Sequence, residues 1–482
     1  MRFRAVCAAG AGATAFALAA CGGTGSAAAH GTGPAASHGT GPAASHGTGP
    51  AASSQAPAQP AAGSAAHPSA SWPVFNGNAA RTGAVTGLPA AGKLSTAWTA
   101  RLDGAVYGQP LVIGGMVVAA TENDSVYALN EATGHLIWRS HLGTPVPAST
   151  LTCGDIDPLG ITGTPAYDQA NGLVYAVAET TGFHHVLFGL AVTNGAVKVR
   201  RDIPAPDGQP RWDQQRPGLA IGSGRVYVAF GGLFGDCGPY RGSVAAVPLP
   251  GTGPIISYMV PTAREGGIWG IAGPVTGAGG TLYVSVGNGA ATSGAFDDSD
   301  SVTALTPGLG RAAIFAPSTW AADNAADLDL GSTQPALLGG GRLLALGKRG
   351  TAYLLSAAHL GGVGGQLASL DVCGAWGAAA VSGTTVYEPC RGGGPAAIGV
   401  IGGTRIRELW HGPAAVTGSP VVGGGAVWVT GQGGLYELNP ATGAVRASIA
   451  LSGGLPRMSS LSLSGSDAFI GTLAGVTAVR GV

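Results

Sequence analysis

Four cysteines beyond the first 21 residues are the chain's most reactive side chains. They are Cys153, Cys237, Cys373 and Cys390. An even number of cysteines in an exported chain favours two disulfides, for which three pairings are possible. Cys373 and Cys390 flank the first two strands of one predicted repeat. We therefore predict that these two pair and that Cys153 pairs with Cys237; free buried thiols are the alternative.

Carboxylates are concentrated in two segments of a chain whose charged content is only 10%. The segments are Phe296-Asp-Asp-Ser-Asp300 and Asp323-Asn-Ala-Ala-Asp327-Leu-Asp329. Hard oxygen ligands at this density suit Ca²⁺, with Asp297, Asp298, Asp300, Asp323, Asp327 and Asp329 as candidate ligands. Turn capping by Asp and Asn is the favoured alternative, because these side chains bond their own backbone.

A third group combines aromatic rings with charge and predicts ligand binding. It comprises Arg216, Arg264, Glu265, Trp269 and Lys348, all between predicted strands. Tryptophan beside arginine suits a flat or anionic ligand through stacking and forked hydrogen bonds. Packing and ion pairing between repeats is the competing interpretation. We find no nucleophile elbow, phosphate loop or zinc-spaced set, so no catalytic residue is predicted.

The first 71 residues indicate export and anchoring. Residues 1–20 form a basic start and a small apolar run typical of a secretory signal. Leu18-Ala-Ala-Cys21 resembles a lipobox, which implies a lipid on Cys21 and retention at the membrane outside the cytoplasm; plain secretion is the alternative. Residues 21–71 are rich in Ala, Gly, Pro, Ser and His, a composition that predicts a disordered tether.

Composition excludes some partners and points to strands. Formal charge is balanced, at 24 basic and 24 acidic residues, and no basic run occurs, which argues against nucleic acid as a partner. The 86 glycines favour many short strands joined by tight turns. No long segment repeats apolar residues at helical spacing.

A repeat signal recurs eight times through residues 72–482. Each copy has a small or polar residue, then Pro or a small residue, an apolar pair, and a Gly turn before a strand. The copies start at Gln109, Thr164, Arg216, Gly273, Gln334, Gly377, Ser419 and Ser459. Their spacing predicts an all-β, eight-bladed propeller of four-stranded antiparallel blades, with an array of β-sandwiches as the alternative.

The last repeat ends at Val482 without a fourth strand. A strand of the missing type stands at Leu94–Leu102, which resembles His135–Leu142 in the first repeat. We therefore predict that this N-terminal strand completes the last blade and closes the ring.

The motif Ala128-x-Asn130-x-x-Thr133-Gly134-x-x-x-Trp138 resembles the tryptophan-docking motif of pyrroloquinoline-quinone-type (quinoprotein-like) propellers. Asn130 replaces their usual Asp. Leu438-Asn439-Pro-Ala-Thr442-Gly443 is a second copy that ends in Arg446 instead of Trp. The resemblance covers residues 72–482 and implies the fold and a structural role for the motif, with the Trp packed between blades.

This superfamily includes dye-linked alcohol and sugar dehydrogenases and also non-catalytic members, one of which is a lipoprotein that assists outer-membrane barrel assembly. The alcohol dehydrogenases carry an adjacent cysteine pair that this chain lacks. The resemblance therefore favours a monomeric binding or scaffold module for an envelope protein or a small molecule, with Ca²⁺ as the one cofactor considered. A dehydrogenase that uses pyrroloquinoline quinone and Ca²⁺ is the alternative.

Overall fold

Eight antiparallel sheets make up the part of the chain that the structure, a computed structural model, describes, residues 71–482. The predicted signal, Cys21 and almost the whole tether lie outside these residues. Short strands and tight turns follow from the glycine-rich sequence, since many turn glycines have positive φ, among them Gly115 at 82°. The predicted eight-bladed propeller is confirmed.

Each sheet is one blade, numbered here in chain order. Blade 1 contains strands Leu111–Ile113, Met116–Thr121, Ser125–Asn130 and Leu136–His141. Blade 2 contains Ala166–Asp168, Leu173–Thr180, His184–Ala191 and Val197–Ile203. Blade 3 contains Ala220–Gly222, Arg225–Gly232, Ser243–Pro248 and Ile256–Met259, with Asp213–Gln214 added on Arg225–Gly232. Blade 4 contains Val275–Thr276, Leu282–Val286, Ser301–Leu305 and Arg311–Ala316.

The remaining blades follow the same order. Blade 5 contains Ala336–Leu338, Arg342–Ala345, Thr351–Ser356 and Ala368–Asp371, and its insertion Gly362–Val363 pairs with the outer strand of blade 4. Blade 6 contains Ala380–Ser382, Thr385–Cys390, Gly394–Ile401 and Arg405–His411. Blade 7 contains Val421–Gly423, Ala426–Gly431, Gly434–Leu438 and Val445–Ala450. Blade 8 contains Leu461–Ser464, Asp467–Thr472, Gly475–Arg480 and Ser95–Arg101. The helices of the described residues are Trp320–Ala326 and the 3₁₀ turns Phe75–Gly77, Ala148–Thr150, Ala278–Gly280 and Leu330–Ser332.

The N-terminal strand closes the ring, as predicted. Ser95–Arg101 pairs antiparallel with Gly475–Arg480, and Trp98 lies opposite Ala478. The two ends of the propeller chain therefore share blade 8, which removes the open edges that an unclosed array would expose.

The core lies between neighbouring blades. Val126 of blade 1 and Val174 of blade 2, both 0% exposed, belong to one apolar cluster. The outer strand of blade 1 is different, because Leu136 is 59% exposed while Trp138 is 7% exposed. Inner strands are thus buried on both faces, and outer strands contribute one large residue to the blade interface.

Tryptophans of the docking motif join successive blades. The indole N–H of Trp138 in blade 1 donates to the Val192 carbonyl of blade 2 at 2.9 Å. A side chain at Gly195 would collide with the Trp138 ring, with a Cβ only 2.5 Å from it. Trp98 docks in the same way on the Asn130–Gly134 turn of blade 1, donating to the Glu131 carbonyl at 2.9 Å. The turn of one blade therefore receives the tryptophan of the preceding blade.

Asn130 explains why this turn is preorganised. Its carboxamide oxygen accepts from the backbone N–H of Ala132 at 3.1 Å and of Thr133 at 3.0 Å, and from the Thr133 hydroxyl at 3.0 Å. Gly134 follows with φ of 71°, a left-handed conformation that favours glycine. Trp410 of blade 6 docks on the second copy, donating to the Pro440 carbonyl at 2.8 Å.

Residues 72–85, called here the axial plug, cross the propeller axis. The Arg81 guanidinium donates to the carbonyls of Phe75 at 2.9 Å and Leu219 at 2.7 Å, and its side chain is 2% exposed. Other plug residues form hydrogen bonds with backbone groups in the inner region of blades 1, 2, 4, 6, 7 and 8, at Val112, Tyr167, Thr276, Ala379, Val422 and Leu463. With Leu219 beside blade 3, seven of the eight blades contact this segment.

No helix among the described residues is long and apolar enough to cross a bilayer.

Candidate ligand cavity

One cavity collects charged and aromatic side chains at one end of the ring. In a four-stranded antiparallel blade, the turn between strands two and three lies at the same end as the connection to the next blade. We call this end the upper face. The cavity has a volume of about 200 Å³ and is formed by such segments of blades 3 to 6. Its lining residues are Arg216, Gly232, Leu233, Phe234, Gly235, Asp236, Trp269, Asp327, Asp329, Lys348, Trp376 and Arg391.

Lys348 anchors one wall. Its ammonium group lies 2.6 Å from a carboxylate oxygen of Asp327 and 2.5 Å from one of Asp329, and 5.7 Å from the centre of the Trp269 ring. Burial by itself lowers the pKa of Lys348, but the attraction of Asp329 and Asp327 raises it above the usual value. Lys348 is therefore charged at neutral pH and held against an aromatic face.

Trp376 and Arg391 form the opposite wall. The Arg391 guanidinium lies 5.0 Å from the centre of the Trp376 ring, and that ring meets Trp269 edge to face with centroids 6.1 Å apart. The Cys373–Cys390 disulfide joins the two segments that carry these residues. The backbone N–H of Arg391 also donates to the Gly374 carbonyl at 2.7 Å.

A second disulfide holds the wall formed by Gly232–Asp236. Cys237 follows Asp236 directly and is bonded to Cys153, 84 residues earlier in the chain. The N–H of Gly154 donates to the Phe234 carbonyl at 3.0 Å, and the Tyr240 hydroxyl donates to Asp236 at 2.6 Å. Both disulfides have the predicted pairing, and each fixes a segment that lines the cavity.

The predicted ligand-binding residues separate into two groups. Arg216, Trp269 and Lys348 converge on the cavity as the ligand hypothesis requires. Arg264 and Glu265 do not line it; they form an ion pair with each other, and the Arg264 side chain is 52% exposed.

The six predicted aspartates do not form one metal centre. Asp298 pairs with Arg311, Asp323 with Arg349, and Asp327 and Asp329 with Lys348. Asp297 accepts from the Thr262 hydroxyl at 2.7 Å, and Asp300 accepts from the N–H of Leu330 at 2.9 Å. Asp323 also lies within the helix Trp320–Ala326, so its segment is only partly a loop.

These contacts also test the Ca²⁺ that the resemblance implies for a dehydrogenase. Within residues 71–482, no three His, Cys, Asp or Glu side chains are grouped so that they could hold a metal ion. The cavity carboxylates Asp327 and Asp329 face the ammonium group of Lys348 instead. Such a donor set does not fit Ca²⁺, which takes six to eight oxygen ligands.

The lining residues that sequence reasoning missed include three with charged or indole side chains, Asp236, Trp376 and Arg391. A signal was present, because each lies within three positions of a cysteine that was predicted to form a disulfide. Loops held by disulfides beside a predicted axis are good candidates for site walls.

Comparison with known proteins agrees with the fold. A family model described as outer membrane protein assembly factor BamB matches residues 45–285, which is half of the chain. A search of curated proteins finds no match.

Solved structures show the same architecture at low sequence identity. Quinohemoprotein alcohol dehydrogenase from Comamonas testosteroni is 16% identical with a TM-score of 0.66, over 85% of this chain and 80% of that one. BamB from Moraxella catarrhalis is 14% identical with a TM-score of 0.57, over 81% of this chain and 98% of that one. A europium-containing methanol dehydrogenase is 15% identical with a TM-score of 0.65, over 86% and 98% of the two chains. At these identities, the likeness concerns the fold alone.

Proposed function

The chain belongs to the family described as outer membrane protein assembly factor BamB, and we propose that it acts as a non-catalytic binding module. In this proposal, a lipid on Cys21 and the tether of residues 21–71 hold the propeller at the membrane outside the cytoplasm. The upper-face cavity binds a flat, anionic ligand.

The observation that carries the proposal is the paired arrangement of cations and indole rings. Lys348 lies over Trp269 and Arg391 over Trp376, at 5.7 Å and 5.0 Å. The two rings are perpendicular, with an interplanar angle of 89°. One ring can stack on a flat ligand while the other offers its edge, and Arg391, which forms no ion pair among the described residues, attracts negative charge.

The cavity size favours a small molecule over a peptide. Its volume of about 200 Å³ lies below the roughly 300–1,000 Å³ of sites for drug-sized ligands. Both disulfides fix walls of the cavity, so the site is preorganised and little ordering is required when a ligand binds.

Calorimetric titration with a flat aromatic acid such as indole-3-acetate tests this function. We expect binding by the native protein and an affinity at least tenfold lower for Arg391→Gln and for Trp376→Ala. Arg405→Gln is the matched control, because Arg405 is an exposed arginine at the other end of blade 6. Equal affinities for Arg391→Gln and the native protein would show that the ligand does not bind in the cavity.

A dye-reduction assay tests the absence of catalysis. The protein is incubated with pyrroloquinoline quinone and Ca²⁺ and then with alcohols or sugars. We expect no dye reduction above the level of quinone alone. Reduction that depends on the protein and is lost on adding a chelator would establish the dehydrogenase instead.

A further inference from the structure

Arg216 is a buried cation at the base of the cavity. It also lines a smaller chamber on the propeller axis, between the cavity and Phe75 of the axial plug. The residue is 7% exposed, yet among residues 71–482 its guanidinium makes no hydrogen bond and no ion pair. Buried arginines normally have a partner, because an unpaired charge away from water destabilises the folded protein.

The neighbouring acids do not supply that partner. Asp155 forms an ion pair with Arg457 at 3.2 Å. Glu122 accepts from the N–H of Gly160 at 2.8 Å and the hydroxyl of Thr162 at 3.2 Å. Burial raises the pKa of Glu122 to about 8, so it is largely uncharged at neutral pH. Of the three aspartates of the cavity, Asp327 and Asp329 are bound to Lys348, and Asp236 accepts from the Tyr240 hydroxyl.

We propose that Arg216 is the binding site for a carboxylate of the ligand, which enters the cavity acid end first. This inference rests on the proposed binding function and assigns the ligand a chemical class, a small aromatic monocarboxylic acid. The guanidinium offers a planar pair of donors to the two carboxylate oxygens. The ring of the acid then lies higher in the cavity, at the level of Trp269 and Trp376.

Charge and shape favour a carboxylate over a phosphate. One guanidinium neutralises one negative charge, and the other arginine of the chamber, Arg457, is already paired with Asp155, so a second charge on the ligand would have no partner there. The chamber beyond Arg216 has a volume of only about 10 Å³ and is closed by the plug residue Phe75, 2% exposed, so the acid group stops at the guanidinium.

The experiment compares indole-3-acetate with its neutral isostere indole-3-acetamide, by calorimetry and by thermal unfolding. The native protein should bind the acid at least tenfold more tightly than the amide. Arg216→Gln should bind both equally and weakly. Without ligand, this variant should unfold at a higher temperature than the native protein, because an unpaired buried charge has been removed. Arg405→Gln again serves as the control and should match the native protein in every measurement.

Several outcomes would overturn the assignment. Equal binding of acid and amide by the native protein would refute the carboxylate site and leave the flat-ligand function standing, whereas binding of neither would refute that function as well. A lower unfolding temperature for Arg216→Gln would show a structural role. If chloride alone raised the unfolding temperature of the native protein as much as indole-3-acetate does, Arg216 would be a halide site instead.

Arg216→Lys covers the case in which the glutamine variant does not fold. It keeps the charge but loses the planar pair of donors, so we expect weaker binding that still favours the acid. A lysine variant that no longer distinguishes acid from amide while binding both at native affinity would contradict the proposal.

Discussion

The clearest prediction concerns Glu388, a buried acid without a partner in blade 6. Its side chain is 0% exposed, and neither carboxylate oxygen has a hydrogen-bond partner among the described residues. Burial raises the pKa of Glu388 from 4.5 to about 8. The folded protein therefore holds a proton on Glu388 at neutral pH that the unfolded chain releases.

The sign of the pH dependence follows from this difference. The folded pKa is raised, so the stabilising contribution is complete below pH 4.5 and is lost as pH rises towards 8. One such group lowers the free energy of unfolding by about 1.4 kcal/mol per pH unit within this window, or about 3 kcal/mol between pH 4.5 and pH 7. Burial similarly raises the pKa of Glu122 to about 8, of Asp124 to about 8 and of Asp213 to about 9. Each of these groups therefore adds to the fall in the free energy of unfolding as pH rises.

Glu388→Gln removes the ionisation and keeps the shape. In urea unfolding at pH 5, 6, 7 and 8, followed by tryptophan fluorescence, the variant should match the native protein within about 1 kcal/mol at pH 5. At pH 7 the free energy of unfolding of the variant should exceed that of the native protein by about 3 kcal/mol. The control is Glu131→Gln, a half-buried turn residue of blade 1 that keeps contact with water in the folded protein. An unchanged pH slope in Glu388→Gln would mean that Glu388 is ionised in the folded protein, and the reasoning about its burial would be refuted.

Two further predictions concern the blade interfaces and the anchor. Trp138→Ala should lower the free energy of unfolding by about 3–5 kcal/mol, because it leaves a void against Gly195 and an unpaired carbonyl at Val192. Arg446→Ala, on the outer strand of blade 7 beside Ala447, which takes the place of Trp138, should change it by less than about 1 kcal/mol, and equal losses would show that docking of the indole is not what stabilises the interface. Cys21→Ser should release the protein from the membrane into the medium, as measured by cell fractionation; continued retention would exclude the lipid anchor.

Fold and closure could be predicted because both depend on local patterns. The repeated Gly turns mark strand pairs that are close in sequence, and the extra strand around Trp98 matches the missing strand of the last repeat. The disulfide Cys373–Cys390 also follows from its place within one blade. These features need no knowledge of how distant loops meet.

The cavity could be predicted only in part, because it is assembled from loops far apart in the chain. Arg216 and Arg391 line the same cavity because the ring closes and the loops have the right length. A local sequence pattern encodes neither of these conditions. Arg264 has the same residue type and a similar setting as Arg216, yet its neighbour Glu265 binds it at the surface. The predicted metal ligands failed to converge for a related reason, since Lys348, Arg311 and Arg349 each lie close enough to neutralise an aspartate.

The position of the axial plug gives the molecule a direction. Trp72 joins blade 1 at Val112, two residues before the turn at Gly114, and so enters at the end of the ring opposite the cavity. The axial plug and the cavity thus lie towards opposite ends of the ring, and a ligand reaches the cavity from the upper face.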